Sequence, residues 1–473
     1  MSKHPYRQDR EELRELLQQF DNLKNGKSNS FIEEDSFERI IDYFDEKEQL
    51  PQALEAAGYG IKQYPYSAAL LLKKADLLIA LRNYKEALFV LEQAELLDSK
   101  DTNLYILKTD AYLALDQQQK AAAVLEAAID DFEGEEKIDL LFELADVYDD
   151  YENFEKVFDC LKIILEQDPN NEEALYKICF WTDFTGRNEE GIRLHQQIID
   201  NFPFNELAWF NLGAAYQGLK LYEKAIDAYQ YGVAIDEKFD YAWRNMGDAY
   251  IRLRKYKDAV EVLEKVLELA RPEDVIYEAI GHCYDKMGNF AQARFNYRKA
   301  SHLNMDDSQL HYKIACTYMN EGIWDSAVKS LEVAMRIHRL QPEYNLAMGQ
   351  CYMELDRLDD AITYFGNVVR VRPKNLNGWI ELLKCLYKAE LLDEALEYAG
   401  FAYEQTDGKA IFLFYKSAVL YALGRSKEAL LQLELGMGKN PKLIKKFIEL
   451  NPSILQNQQV VDIIARFKKR KSI

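Results

Sequence analysis

The sequence predicts an all-α solenoid of about twelve stacked helix-turn-helix units, and three observations lead there. A residue pattern returns every 34 positions through most of the chain. Within each return, apolar residues recur twice at the three- and four-residue spacings of a helix face, with a short break between the two runs. Only 10 prolines and 21 glycines occur in 473 residues, which suits long helices and short turns better than a β-rich fold.

Taken in order, the chain opens on a charged amphipathic run in which Leu13, Leu16, Leu17 and Phe20 share one face. This run reads as an N-terminal capping helix, with 22–30 as linker, so that residues 1–33 stand before the repeats. It has neither the apolar core nor the small-residue cleavage site of a secretory signal. No stretch approaches the ~18 apolar residues of a membrane-spanning helix. The cysteines, Cys160, Cys179, Cys283, Cys316, Cys351 and Cys385, are scattered and none forms a Cys-x-x-Cys, as expected of reduced thiols. The expectation is a cytoplasmic chain without a membrane span.

The repeat is clearest at Trp209, Leu212, Gly213, Tyr216, Ala225, Tyr229 and Gly232. It returns at Trp243, Met246, Gly247, Tyr250, Ala259 and Leu263, and again at Tyr277, Ile280, Gly281, Tyr284, Ala293 and Tyr297. The same frame runs back to a copy starting at 34 and forward to one ending near 443. Numbering each copy from its own start, positions 4, 7, 8 and 11 share one face of a first helix, and 20, 24 and 27 one face of a second. Small residues at 8, 20 and 27 let the backbones approach, while large ones at 4, 11 and 24 fill the spaces beside them. Position 15 is often Gly or Asp (Asp116, Gly186, Gly288, Gly322, Asp356), as a left-handed helix exit prefers. Proline near position 32 (Pro65, Pro169, Pro203, Pro373) closes the second helix.

This period and signature resemble the tetratricopeptide repeat family, over roughly residues 34–443. The resemblance implies a right-handed superhelix whose first helices line a concave groove, with positions 2, 5, 9 and 12 pointing into it. The copy at 172 fits least, because Thr182 and Gly191 replace the aromatic and the alanine; the copy at 102 is loose at Lys108 and Thr109. The copy at 138 starts two residues late, after 132–137, which reads as a longer turn or as a bend near 133–137. Residues 444–473 hold a C-terminal capping helix through Ile454, Val460, Ile463 and Phe467, then the basic tail Lys468-Lys469-Arg470-Lys471. That tail reads as a solvated helix end, with a nuclear address or an acidic-surface contact as the sharper readings.

Chemistry-bearing motifs are missing. There is no Gly-rich phosphate loop, His-Glu-x-x-His or Gly-x-Ser-x-Gly, and the six histidines form no tight ligand set. His282 and Cys316 share position 9 in successive copies, but two ligands fall short of a metal site. No enzyme, cofactor or metal is expected.

Charge is more informative. Residues 34–205 carry 16 Lys and Arg against 38 Asp and Glu, so the chain's net charge of −21 resides in the first five copies. Phosphates would be repelled there, and nucleic acid is not an expected partner. Position 9 reads Asp42, Asp76, Asp110 and Asp146 in the first four copies, an aspartate ladder on the implied groove wall. The next copies place Tyr176, Phe180, Phe210, Asn211, Tyr241 and Arg244 on that wall, the residue types that anchor peptides. Arg244 and Asp248, four apart, also suit mutual pairing. The family's groove for a C-terminal carboxylate needs cations and asparagines of which this chain keeps only Asn211 and Asn245 at position 6: Phe210, Ala214, Val275 and Ala279 stand in the other places.

The expected function is a protein–protein scaffold or adaptor that binds a partner segment in the groove, a basic segment on the acidic half. The alternative is a regulatory or substrate-recruiting subunit of an enzyme complex. Homo-oligomerisation is compatible with either.

Overall fold

A computed structural model describes residues 5–26 and 31–469, with side chains over 12–26 and 31–467. Among the described residues every regular element is helical. The chain divides after Asn245 into two compact units, Met1–Asn245 and Met246–Ile473.

The first unit starts with α1 (Pro5–Lys24). The first pair is α2 (Glu34–Glu46) with α3 (Leu50–Gln63), the second α4 (Ala68–Ala80) with α5 (Tyr84–Glu95). Next come α6 (Thr102–Ala114) with α7 (Gln118–Ala128), and α8 (Gly134–Asp150) with α9 (Phe154–Gln167). The pairs α10 (Glu172–Phe184) with α11 (Asn188–Asn201), and α12 (Glu206–Gly218) with α13 (Tyr222–Ile235), complete it, and the division falls inside α14 (Asp240–Arg252).

The second unit continues with α15 (Tyr256–Leu269) and the pair α16 (Asp274–Lys286) with α17 (Phe290–Leu303). It goes on through α18 (Ser308–Asn320) with α19 (Trp324–Ile337), and α20 (Pro342–Glu354) with α21 (Leu358–Val371). Then come α22 (Leu376–Lys388) with α23 (Leu392–Gln405), and α24 (Ile411–Ala422) with α25 (Ser426–Lys439). The short α26 (Ile444–Leu450) and α27 (Gln458–Lys469) close the chain. Twelve pairs, α2 to α25, stand where the period places them.

The turn inside each pair obeys one rule. Position 15 has positive φ in all twelve copies, whether it is Gly186, Gly288, Gly322 and Gly424 or Glu48, Arg82, Asp116, Glu152, Lys220, Arg254, Asp356 and Glu390. Tertiary pairing of the two helices therefore imposes the left-handed exit, and glycine merely relieves it. The start of six of the first helices is satisfied by a side chain just before it. Ser67, Asp101, Asn171, Asn205, Asp307 and Asn375 each accept a backbone N–H of the following turn.

Small-against-large packing holds inside the pairs. A Cβ on Gly213 would sit 2.5 Å from the Tyr229 ring, and one on Gly349 would sit 2.5 Å from Phe365. The indole of Trp209 donates to the Pro203 carbonyl at 2.9 Å, that of Trp243 to Glu237 at 3.0 Å, and that of Trp379 to Pro373 at 2.7 Å. The aromatic at position 4 thus pins the loop before its own helix, a second role beyond filling the core.

Two sequence expectations meet a different local structure. The additional residues before the copy at 138 form no open loop: after a 3-10 turn at Ile129–Asp131, they add a helical turn to the start of α8. Helix α1 runs on to Lys24, so the linker 22–30 is helical at its start, and 27–30 lie outside the described residues. In the second unit Lys468 and Lys469 end α27, while Arg470 and Lys471 lie outside the described residues.

At the start, Phe20 packs edge-on against Phe37 and Tyr59. At the end, Phe447, Ile454, Val460 and Ile463 join Phe414, Leu433 and Met437 in one apolar cluster. The copy at 172 has the most polar interior. Its position 24 is His195, fully buried, with neither ring nitrogen hydrogen-bonded, and Asn188 Oδ1 nearby in sequence is also unpartnered. In the copy at 102, buried Lys108 reaches Glu95 at 2.6 Å.

Candidate functional site

The first helices of successive pairs lie side by side, and cross-helix ion pairs mark the face they share. Lys73 pairs with Asp42, and Lys177 with Asp146 at 3.5 Å. Both pairs join position 6 of one copy to position 9 of the copy before. In the second unit Lys313, also at position 6, meets Glu278 at position 5 of the copy before, across α18 and α16.

This geometry sorts the four predicted aspartates. Asp42 and Asp146 are partly spent on Lys73 and Lys177. Above Asp76 and Asp110, position 6 is Leu107 and Glu143, so no lysine of the following copy stands over either aspartate. Partial burial between neighbouring helices raises the Asp76 carboxyl above its ordinary range, and Asp45 adds to the rise while Lys73 opposes it. Burial likewise raises Asp110, with Asp76 adding to the effect. Glu143 is raised by burial and then by Asp110 and Asp146. Asp45, Asp76, Asp110, Glu143 and Asp146 thus form a chain of neighbouring acids, in which a lysine of the following copy pairs with Asp146 but no such lysine stands over Asp76 or Asp110.

Glu143 and Asp45 escape a reading that follows position 9 alone. The usable signal is the residue at position 6, because a lysine there covers the aspartate below it. A cavity of ≈ 350 Å³ opens beside the ladder between α4 and α6, lined by Leu72, Lys73, Asp76, Asn103, Ile106 and Leu107 among others.

The aromatic candidates divide more sharply. Tyr176 and Phe180 stand on α10 at 61% and 60% exposure, and Phe184, one turn further, at 57%. Phe180 and Phe184 are nearly parallel at 5.6 Å, and Trp181 lies edge-on to Phe180 at 4.8 Å. Phe154, from α9, stacks on Trp181 at 5.2 Å and meets Phe184 at 4.8 Å. Trp181 and Phe184 belong to α10 itself, and Phe154 joins the group through the folding of α9 onto α10.

Phe210 is half-buried against Phe239 at 5.1 Å and Tyr229 at 5.7 Å. Asn211 does not face the groove: it is 3% exposed, and its amide donates to the Leu175 carbonyl at 2.8 Å, tying α12 to α10. An asparagine between two packed helices satisfies a carbonyl that would otherwise be left bare. Tyr241 is exposed. Arg244 reaches back to Asp240 at 4.0 Å, and Asp248 lies 3.5 Å from Arg252.

Among the described residues no group of three His, Cys, Asp or Glu could hold a metal. Burial pushes Cys160, Cys179 and Cys351 up to about 12, and Cys283 and Cys385 up to about 11, which favours the protonated thiols. No helix is long and apolar enough to cross a membrane, among the described residues.

Comparison with known proteins agrees with this architecture. Tetratricopeptide repeat family models match residues 184–238, 346–410 and 68–101. The model of the C-terminal ARM domain of tetratricopeptide repeat protein 21 matches 214–348. No curated protein matches the chain. Among solved structures, YrrB, described as a TPR protein with an unusual peptide-binding site, is 17% identical with a TM-score of 0.35. The alignment covers 39% of this chain and 95% of that one. The C-terminal part of a TPR repeat-containing protein from Cytophaga hutchinsonii is 18% identical, TM-score 0.44, over 54% of this chain and 99% of that one. A chain of the APC/C hetero-tetramer Cut9-Hcn1 is 13% identical, TM-score 0.35, over 82% of this chain and 90% of that one.

Proposed function

We propose that this chain, which belongs to the tetratricopeptide-repeat family, is a non-catalytic scaffold that holds an extended basic segment of a partner protein along the acidic first-helix face of its first unit. The observation that carries the reading is the middle of the ladder, where no lysine of the following copy stands over Asp76 or Asp110. Burial first, and then a neighbouring acid, raises the carboxyls of Asp76, Asp110 and Glu143, with Lys73 opposing at Asp76, so folding holds them there at a desolvation and electrostatic cost. Lys73 and Lys177 show that one residue type at position 6 removes such a cost, and in the middle of the run that residue type is absent. A partner's lysines and arginines arriving along this face take the part those lysines play at the ends. Such complementarity raises the association rate and makes affinity fall with salt.

The test is a pull-down from native lysate with the wild-type chain and with an Asp76→Asn/Asp110→Asn/Glu143→Gln variant, at low and moderate ionic strength. A retained protein that carries a basic extended segment, lost in the variant and at the higher salt, is the expected outcome. Retention that is indifferent to both changes would remove the acidic face from the function.

A further inference from the structure

Resting on the acidic-face reading, we propose that the bound segment presents an arginine to the aromatic stripe of α10, with its guanidinium lying over Phe180 and Phe184. Tyr176, Phe180 and Phe184 are four residues apart and so stand in line along one face of the helix. Trp181 and Phe154 back the stripe and hold its rings in place. Its outer surface is bare: among the described residues no lysine or arginine lies over Phe154, Phe180, Trp181 or Phe184. Glu173 and Asp183, three residues from Tyr176 and from Phe180, flank it on the same helix face.

Aromatic faces carry negative quadrupole charge, and carboxylates at their rim add to it. A purely apolar occupant would lose from the neighbouring carboxylates. An ammonium would take the carboxylates and make less use of the rings. A guanidinium is planar and weakly hydrated, stacks on a ring, and still directs its N–H groups to carboxylates in its own plane.

The chain uses this chemistry internally beside the stripe. The Arg187 guanidinium lies 4.1 Å from the Phe158 ring centre, with Asp159 at 2.7 Å and Glu190 at 2.8 Å. Lys177 lies 5.0 Å from the Phe142 ring centre, with Glu173 at 2.9 Å. The stripe on α10 repeats the rings, with Asp183 as its acid and Glu173 already paired with Lys177, and no cation lies over its rings among the described residues.

The experiment measures fluorescence anisotropy of labelled hexa-arginine, hexa-lysine and a phenylalanine-containing neutral peptide with the full chain. Wild type is compared with Phe180→Leu/Phe184→Leu, which keeps apolar area and removes the π faces, and with Asp76→Asn/Asp110→Asn/Glu143→Gln. Hexa-arginine is expected to bind about fivefold more tightly than hexa-lysine. The leucine variant should bring arginine down to the lysine level and leave lysine binding and the thermal melt unchanged. The carboxylate variant should weaken both cationic peptides together. An arginine preference that survives in the leucine variant overturns the proposal. Equal binding of the two cationic peptides by wild type, still sensitive to the carboxylates, also overturns it and leaves the acidic-face reading standing. Failure of both to bind removes both readings, and preference for the neutral peptide assigns the stripe to an apolar side chain instead.

Discussion

His195 offers a quantitative test of how the least regular repeat is held together. Burial alone lowers its imidazole from the ordinary 6.5 to about 3, and both ring nitrogens lack partners. The unfolded chain therefore binds a proton between those values that the folded chain refuses. Because the folded pKa is depressed, the associated stability is intact above about 6.5 and is lost progressively as pH falls towards 3. At pH ~5.5 the loss is about 1.4 kcal/mol, and its limit near pH 3 is about 5 kcal/mol, at 1.36 kcal/mol for each decade. The perturbation is His195→Leu, which installs the residue that Leu161, Leu263 and Leu331 supply at the same position in other copies. It removes two unpaired buried nitrogens, so it should add about 1–3 kcal/mol at pH ~7.5. The difference from wild type should widen by about 1.4 kcal/mol on going to pH ~5.5. Urea denaturation followed by circular dichroism at both pH values measures the sum, and amide exchange over α10 to α12 locates it. A leucine variant with the same acid loss as wild type would refute the assignment of the buried, neutral ring.

Two further outcomes follow from the same reasoning. Asp110→Asn should stabilise the chain near pH 7 while weakening its hold on a basic segment. A carboxyl whose folded pKa is raised contributes stability at low pH that is lost as pH rises, so the melting temperatures of wild type and variant should converge in acid. Arg82→Gly should raise stability by about 0.5–1 kcal/mol, seen as a higher urea midpoint, because position 15 is left-handed whatever its side chain. An unchanged or lower midpoint would mean that the arginine side chain compensates its own backbone strain.

The sequence by itself determined the helix pairs and their register. A 34-residue period, small residues at 8 and 20 and large ones at 24 leave one way for two helices to pack, and Gly213 against Tyr229 shows how closely. These are contacts within one unit or between neighbours, so local periodicity reports them faithfully. The aspartate ladder was legible as a column, and so was the acidic half that contains it.

What the column meant was decided in three dimensions. Asp42 and Asp76 occupy the same position, yet the first is covered by Lys73 from the following repeat, while above the second stands Leu107. Asn211 had the spacing of a groove residue and was drawn into the interior by a bare carbonyl on α10. Phe154, from α9, became one surface with Phe180, Trp181 and Phe184 of α10 only when the two helices folded together. In each case a side chain's fate depends on a neighbour about one repeat away. Periodicity places backbones at that distance, but the charge or ring that meets them is set by tertiary packing.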